Sequence, residues 1–109
     1  MEWPDSVKEL DEKGYEAFIK TYPSVAVDFW GPSCAPCKML SPLIEALSNE
    51  MKGKVAFGKV DVTKNLKLVQ SLSIRSIPTM VYYRNGVKVK ETQGFIPKNR
   101  LVQELMVLQ

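Results

Sequence analysis

Between Ser24 and Trp30 the apolar residues run almost without a break, interrupted by one charge at Asp28. Such a run reads as a central strand covered on both faces. Gly31-Pro32-Ser33 ends it, and from Cys34 to about Met51 the spacing becomes helical, with Met39, Leu40, Leu43, Ile44 and Leu47 along one side. Pro42 lies inside that pattern and is expected to kink the helix. Upstream, Val7–Leu10 reads as a short strand, and Asp11 can cap a helix to about Thr21 that carries Tyr15, Phe18 and Ile19 and stops before Pro23. Downstream, Val55–Asp61 reads as a strand and Leu66–Leu72 as a short helix. Thr79–Arg84 and Val87–Gln93 flank Asn85-Gly86, a strong hairpin signal. A last helix is expected from about Lys98 to Leu108, with Leu101, Leu105 and Leu108 on one face. The order predicts an α/β fold: a central mixed β-sheet flanked by helices, partly parallel and ending in an antiparallel pair.

Composition narrows the class. A chain of 109 residues is the size of one domain, taken here as 1–109. A hydrophobic share of 45% and a charged share of 25% suit a globular protein with a real core. Fifteen basic residues against twelve acidic ones leave +3, spread along the chain with no dense Lys/Arg block. Nucleic acid is therefore not an expected partner. No apolar run approaches the roughly 18 residues of a membrane-spanning helix, so no membrane association is expected. The first residues, Met1-Glu-Trp-Pro-Asp5, lack the basic and apolar regions of a secretory signal, which makes the cytoplasm the expected compartment.

The chain has only two cysteines, Cys34 and Cys37. A structural disulfide stabilises most when it closes a long loop, and this pair closes almost none. Its purpose is more plausibly chemical. Cys34 falls where a buried strand gives way to a helix, so unpaired backbone N–H groups and the helix dipole favour its thiolate, the nucleophilic form. Cys37 lies three residues on, on the same helix face and within reach of a disulfide. Pro36 between them suits the first helical turn. Cys34 is then the attacking thiol and Cys37 the resolving one. Half a zinc site has the same spacing, but a structural zinc needs four ligands and the chain has no histidine. At this point a metal shared between two chains, or two inert buried thiols, stays open.

Val27-Asp-Phe-Trp-Gly-Pro-Ser-Cys-Ala-Pro-Cys-Lys-Met-Leu-Ser-Pro42 resembles the active-site segment of the thioredoxin family, whose usual form is V-D-F-W-A-x-W-C-G-P-C-K-x-x-x-P. Lys59-Val-Asp-Val62, Ile77-Pro-Thr79, Asn85-Gly86 and Gly94 match in order, so the likeness spans roughly residues 7 to 108. It implies a thioredoxin fold and a protein-disulfide reductase that cycles between dithiol and disulfide. It further implies that Asp28 is the buried aspartate exchanging a proton with Cys37, and Lys59 the lysine that pairs with it. A carboxyl set among Val, Ala and Phe is expected to have a raised pKa. Pro78 matches the cis-proline facing the disulfide, which would leave Ile77 backbone groups free to pair with an extended substrate segment. Trp30 is expected to pack beneath the site.

Two departures concern the rim and the tuning of the pair. Ser33 stands where the family has tryptophan, and Ala35 where it has glycine. The lost indole removes apolar contact from the docking surface, and Phe95, directly after Gly94, is the candidate to restore some of it. The resemblance implies protein disulfides as substrates, a thioredoxin reductase (flavin- or ferredoxin-linked) as electron donor, a monomer, and no cofactor or metal. Strong oxidants of this fold place a histidine between the cysteines, so the absence of histidine favours a reductant. A binding module without redox turnover is the rival of another class, and two intact cysteines argue against it.

Overall fold

A computed structural model describes Met1–Gln109. It contains β1 (Lys8–Glu9), α1 (Tyr15–Thr21), β2 (Ser24–Trp30), α2 (Ala35–Glu50), β3 (Ala56–Asp61), α3 (Leu66–Ser71), β4 (Thr79–Arg84), β5 (Val87–Gln93) and α4 (Lys98–Met106). The five strands form one sheet in the order β1-β3-β2-β4-β5. β3 lies parallel to both β1 and β2, whereas β4 is antiparallel to β2 and to β5. The expected mixed sheet, parallel first and antiparallel at its end, is the one observed.

Alternation along β2 divides the interior. Val25, Val27 and Phe29 point to one face, where Tyr15, Ile19, Ile74, Val81 and Tyr83 pack with them. Ala26 points to the other, among Leu40, Ile44, Leu47, Phe57, Met80, Tyr82, Leu101 and Leu105. Helices α1 and α3 thus cover one side and α2 and α4 the other. Asp28, two residues beyond Ala26, falls on the α2 side. The Tyr15 and Tyr83 hydroxyls share a hydrogen bond of 2.6 Å that ties α1 to β4 inside the first layer.

Several elements differ from the sequence expectation. Helix α1 begins at Tyr15 with Gly14 as its cap residue, and the Asp11 side chain instead accepts the Gly14 N–H at 2.8 Å, closing the turn before the helix. β1 shrinks to two exposed residues, Lys8 opposite Gly58 and Glu9 opposite Lys59, and Leu10 beyond it adds a bond from its N–H to the Lys59 carbonyl at 2.8 Å. Helix α2 starts at Ala35, with Cys34 as its cap, and holds Pro42 within its length. Its buried stripe is Cys37, Leu40, Ile44 and Leu47, a three-then-four spacing. Met39 is one residue off that stripe and stands 60% exposed. Leu108 is buried but follows the end of α4.

Asn85 and Gly86 both take positive φ, 51° and 79°, as a tight two-residue hairpin requires. Leu40, fully buried one turn beyond Cys37, joins the helix carrying the cysteines to the core. Leu40→Ala should therefore destabilise the protein by about 3 kcal/mol. The shift in urea midpoint reads this directly, and a loss below about 1 kcal/mol would mean that α2 is held by other contacts.

Candidate functional site

β2 ends at Trp30, whose carbonyl accepts the Val62 N–H at 2.9 Å. Gly31 is buried, while Pro32 and Ser33 are exposed. Cys34 follows in extended backbone, φ −112° and ψ 108°, as the cap residue of α2. Ala35 and Pro36 occupy the first turn, both exposed. Pro36 has no N–H to leave unpaired there, and its fixed φ suits the position.

Cys34 and Cys37 form a disulfide, with Cα atoms 5.2 Å apart. The two sulfurs are not equivalent. Cys34 is half-buried and Cys37 is 3% exposed. The Cys37 backbone N–H donates to Cys34 Sγ at 3.2 Å. This is one of the first-turn donors that has no partner within the helix, and it points at Cys34 Sγ.

Behind the pair lies a cavity of about 130 Å³ bordered by Asp28, Trp30, Gly31, Cys37, Ser41 and Lys59, among others. Asp28 is 4% exposed, and its Oδ1 has no hydrogen-bond partner in the protein. Burial raises the Asp28 pKa from 3.8 to about 7, and the nearby Lys59 charge lowers it only in part. The cause is plain: burial has taken away the water that would solvate the ionised carboxylate, and no protein donor replaces it at Oδ1.

Lys59 acts on Asp28 through its charge and not through direct contact. It sits opposite Asp28 in the β2–β3 register, yet the two make no ion pair. Its ammonium lies 5.7 Å from the centre of the Trp30 ring. Over the indole face a half-buried lysine keeps some hydration, which an ion pair deeper in the cavity would remove. Trp30 borders the cavity, half-buried and with its indole N–H unpartnered.

Two loops complete the rim. The Ile77–Pro78 peptide is cis, with Pro78 buried and Ile77 half-buried. Gly94, at φ +82°, donates its N–H to the Pro78 carbonyl at 2.8 Å and so fastens the second loop to the first. Phe95 follows it, 39% exposed. The structure thus brings Asp28, Trp30, Cys37 and Lys59 around one cavity and links Pro78 to Gly94. Ser33, Ala35 and Pro36 are exposed beside the disulfide. Gly31 and Ser41 were missed as lining residues, although Ser41, four residues after Cys37, falls on its helix face.

The thioredoxin family model matches residues 6–106. The chain belongs to the thioredoxin family. It is 32% identical over 100 residues to the chloroplastic M-type thioredoxin of Spinacia oleracea, covering 91% of this chain and 55% of that one. With the thioredoxin of Chlorobaculum thiosulfatiphilum it shares 35% over 98 residues, 89% of this chain and 91% of that one. The chain therefore spans little more than half the length of the spinach relative and nearly all of the bacterial one. A mutant thioredoxin from Halobacterium salinarum superposes with a TM-score of 0.93 at 26% identity, over 99% of this chain and 95% of that one. Thioredoxins are thiol–disulfide oxidoreductases that work with a reductase and disulfide substrates, and Cys34–Cys37 has the CxxC spacing of the family's active site and is closed as a disulfide.

The Asp28 carboxyl also governs stability. With its folded pKa near 7 and its unfolded value near 3.8, the folded state holds the proton more tightly. Stability is full below pH 3.8, falls as the pH rises from there to about 7, and levels off above. The loss amounts to roughly 4 kcal/mol at most. Asp28→Asn should lack it and be more stable than wild type at pH 8 but not at pH 3.5. Parallel stability curves across that range would contradict the assignment.

Proposed function

We propose that this chain is a cytoplasmic, monomeric protein-disulfide reductase that a separate thioredoxin reductase, flavin- or ferredoxin-linked, returns to the dithiol form. The observation that carries this reading is the asymmetric cysteine pair: one sulfur half-buried at a helix N-terminus, the other buried and bordering the same cavity as a carboxyl.

The Cys34 thiolate attacks one sulfur of a substrate disulfide, and the other substrate sulfur leaves as a thiolate. Asp28 takes the Cys37 proton through the shared cavity, which is large enough for water to relay it. The Cys37 thiolate then attacks Cys34 Sγ, breaking the mixed disulfide and releasing the second substrate thiolate. Two electrons have passed to the substrate, and the protein holds its Cys34–Cys37 disulfide until the reductase supplies two more. An absent histidine supports reductant over oxidant chemistry. The cytoplasm suits a cycle that starts from reduced thiols. In support of a monomer, the exposed large apolar side chains are dispersed over α2, α3, β5 and the end of α4. Ala35 and Pro36 tune the pair from the first turn, and Trp30, Ser33, Ile77, Pro78, Gly94 and Phe95 form the surface that meets the substrate.

Cys37→Ser should accumulate mixed disulfides with protein substrates, visible as reductant-sensitive bands on non-reducing gels. Cys34→Ser should trap none, and equal trapping by the two would reverse or abolish the assigned roles. Turnover of insulin with each class of reductase identifies the donor, and no turnover with either would overturn the reading.

Phe95→Ala should raise KM for folded protein substrates by an amount worth about 1 kcal/mol. Reduction of a small disulfide should change far less, since Cys34 chemistry is untouched. Equal slowing of both would show that Phe95 supports the fold instead of the docking surface.

A further inference from the structure

Gly31 is buried at the point where β2 gives way to the segment carrying the cysteines. A Cβ built on it would lie 2.7 Å from Cδ1 of Ile77 and 3.8 Å from Cγ2 of Val62. The second distance is ordinary contact, but the first is far inside it. The Ile77 δ-methyl therefore fills the volume that any side chain at position 31 would need. An alanine stands at this place in the family pattern quoted above, and with alanine the methyl could not take this seat.

Ile77 and Val62 also border a groove of about 200 Å³ together with Val69, Ile74, Arg75 and Ser76. Gly31 itself borders the cavity behind Cys37. One missing side chain thus adjoins both the cavity behind Cys37 and the groove wall formed by Ile77, the residue before Pro78. We propose that Gly31 is a positioning residue for substrate docking: by admitting the Ile77 δ-methyl it sets the shape of the wall that a protein substrate meets beside the disulfide. This inference rests on the reductase reading. The displaced atom is the free end of a side chain, so alanine is accommodated by turning Ile77 about χ2. The consequence falls on docking more than on stability.

Valine is isoleucine without the δ-methyl, which makes Ile77→Val the matching partner of Gly31→Ala. The experiment measures kcat and KM for insulin and for a small aromatic disulfide on wild type, Gly31→Ala, Ile77→Val and the double variant. Gly31→Ala should lower kcat/KM for insulin relative to the small disulfide by about ten-fold, mainly through KM. The double variant should match Ile77→Val alone, because the contested methyl is gone. It also supplies a folded alanine-bearing protein should Gly31→Ala fold poorly. The 13C shift of the Ile77 δ-methyl, which reports χ2, should move in Gly31→Ala. A double variant worse than Ile77→Val overturns the proposal, as does an unchanged substrate ratio with an unmoved methyl shift. A wild type inert towards both disulfides is a different failure: it overturns the reductase reading and takes the docking role with it.

Discussion

A strand with partners along both edges and helices over both faces tolerates very little polarity, and β2 carries a carboxyl. Asp28 is held there by its neighbours in the sheet, opposite Lys59 on one side and Met80 on the other. It cannot turn outward without unpairing the centre of the sheet. Its Oδ1 accordingly lacks a protein partner, and its proton is retained to a pH near neutrality. Covering the strand from both sides is the condition under which a carboxyl can act as a proton acceptor at the pH where thiols exchange.

The same packing fixes the sulfur chemistry. Cys37 belongs to the buried stripe of α2 that continues through Leu40, Ile44 and Leu47. The sulfur of Cys37, the one proposed to resolve the mixed disulfide, is therefore positioned as a core side chain is, by close contact on several sides. Cys34, one step outside the helix, is half-buried and held by the cap geometry, by the N–H of Cys37 and by the disulfide itself. A fixed buried thiol and a more accessible capping thiol are what a two-step exchange needs, and both come from starting a helix between them.

Much of this was readable from residue order. The uninterrupted apolar run at Ser24–Trp30, the Asn85-Gly86 turn and the Cys34–Cys37 pair depend on near neighbours, and local chemistry decides them. The errors have a common cause. Asp11 offers the same carboxyl to a helix cap and to a turn, and only the start of α1 at Tyr15 separates the two. Met39 shares the composition of the buried stripe but not its angle. Where the Lys59 ammonium rests depends on the competition between an indole face and a buried carboxyl. The seat of Ile77 over Gly31 joins residues far apart in the chain, and spacing along the sequence carries no trace of it.

The register shift between Tyr82 and Tyr83 has a consequence for the protein at high concentration. Tyr82 lies opposite Lys90 and Tyr83 opposite Lys88, which leaves Val89 with no counterpart on β4. The ladder is thereby broken where β5 is most apolar, and its exposed valines, Val87 and Val89, alternate with lysines. The opposite margin, β1, is only two residues long. Long, flat, uncharged margins are the templates on which sheets of separate molecules zip together into aggregates. Neither margin of this sheet has those properties, so crowded copies of the chain are poorly disposed to join edge to edge.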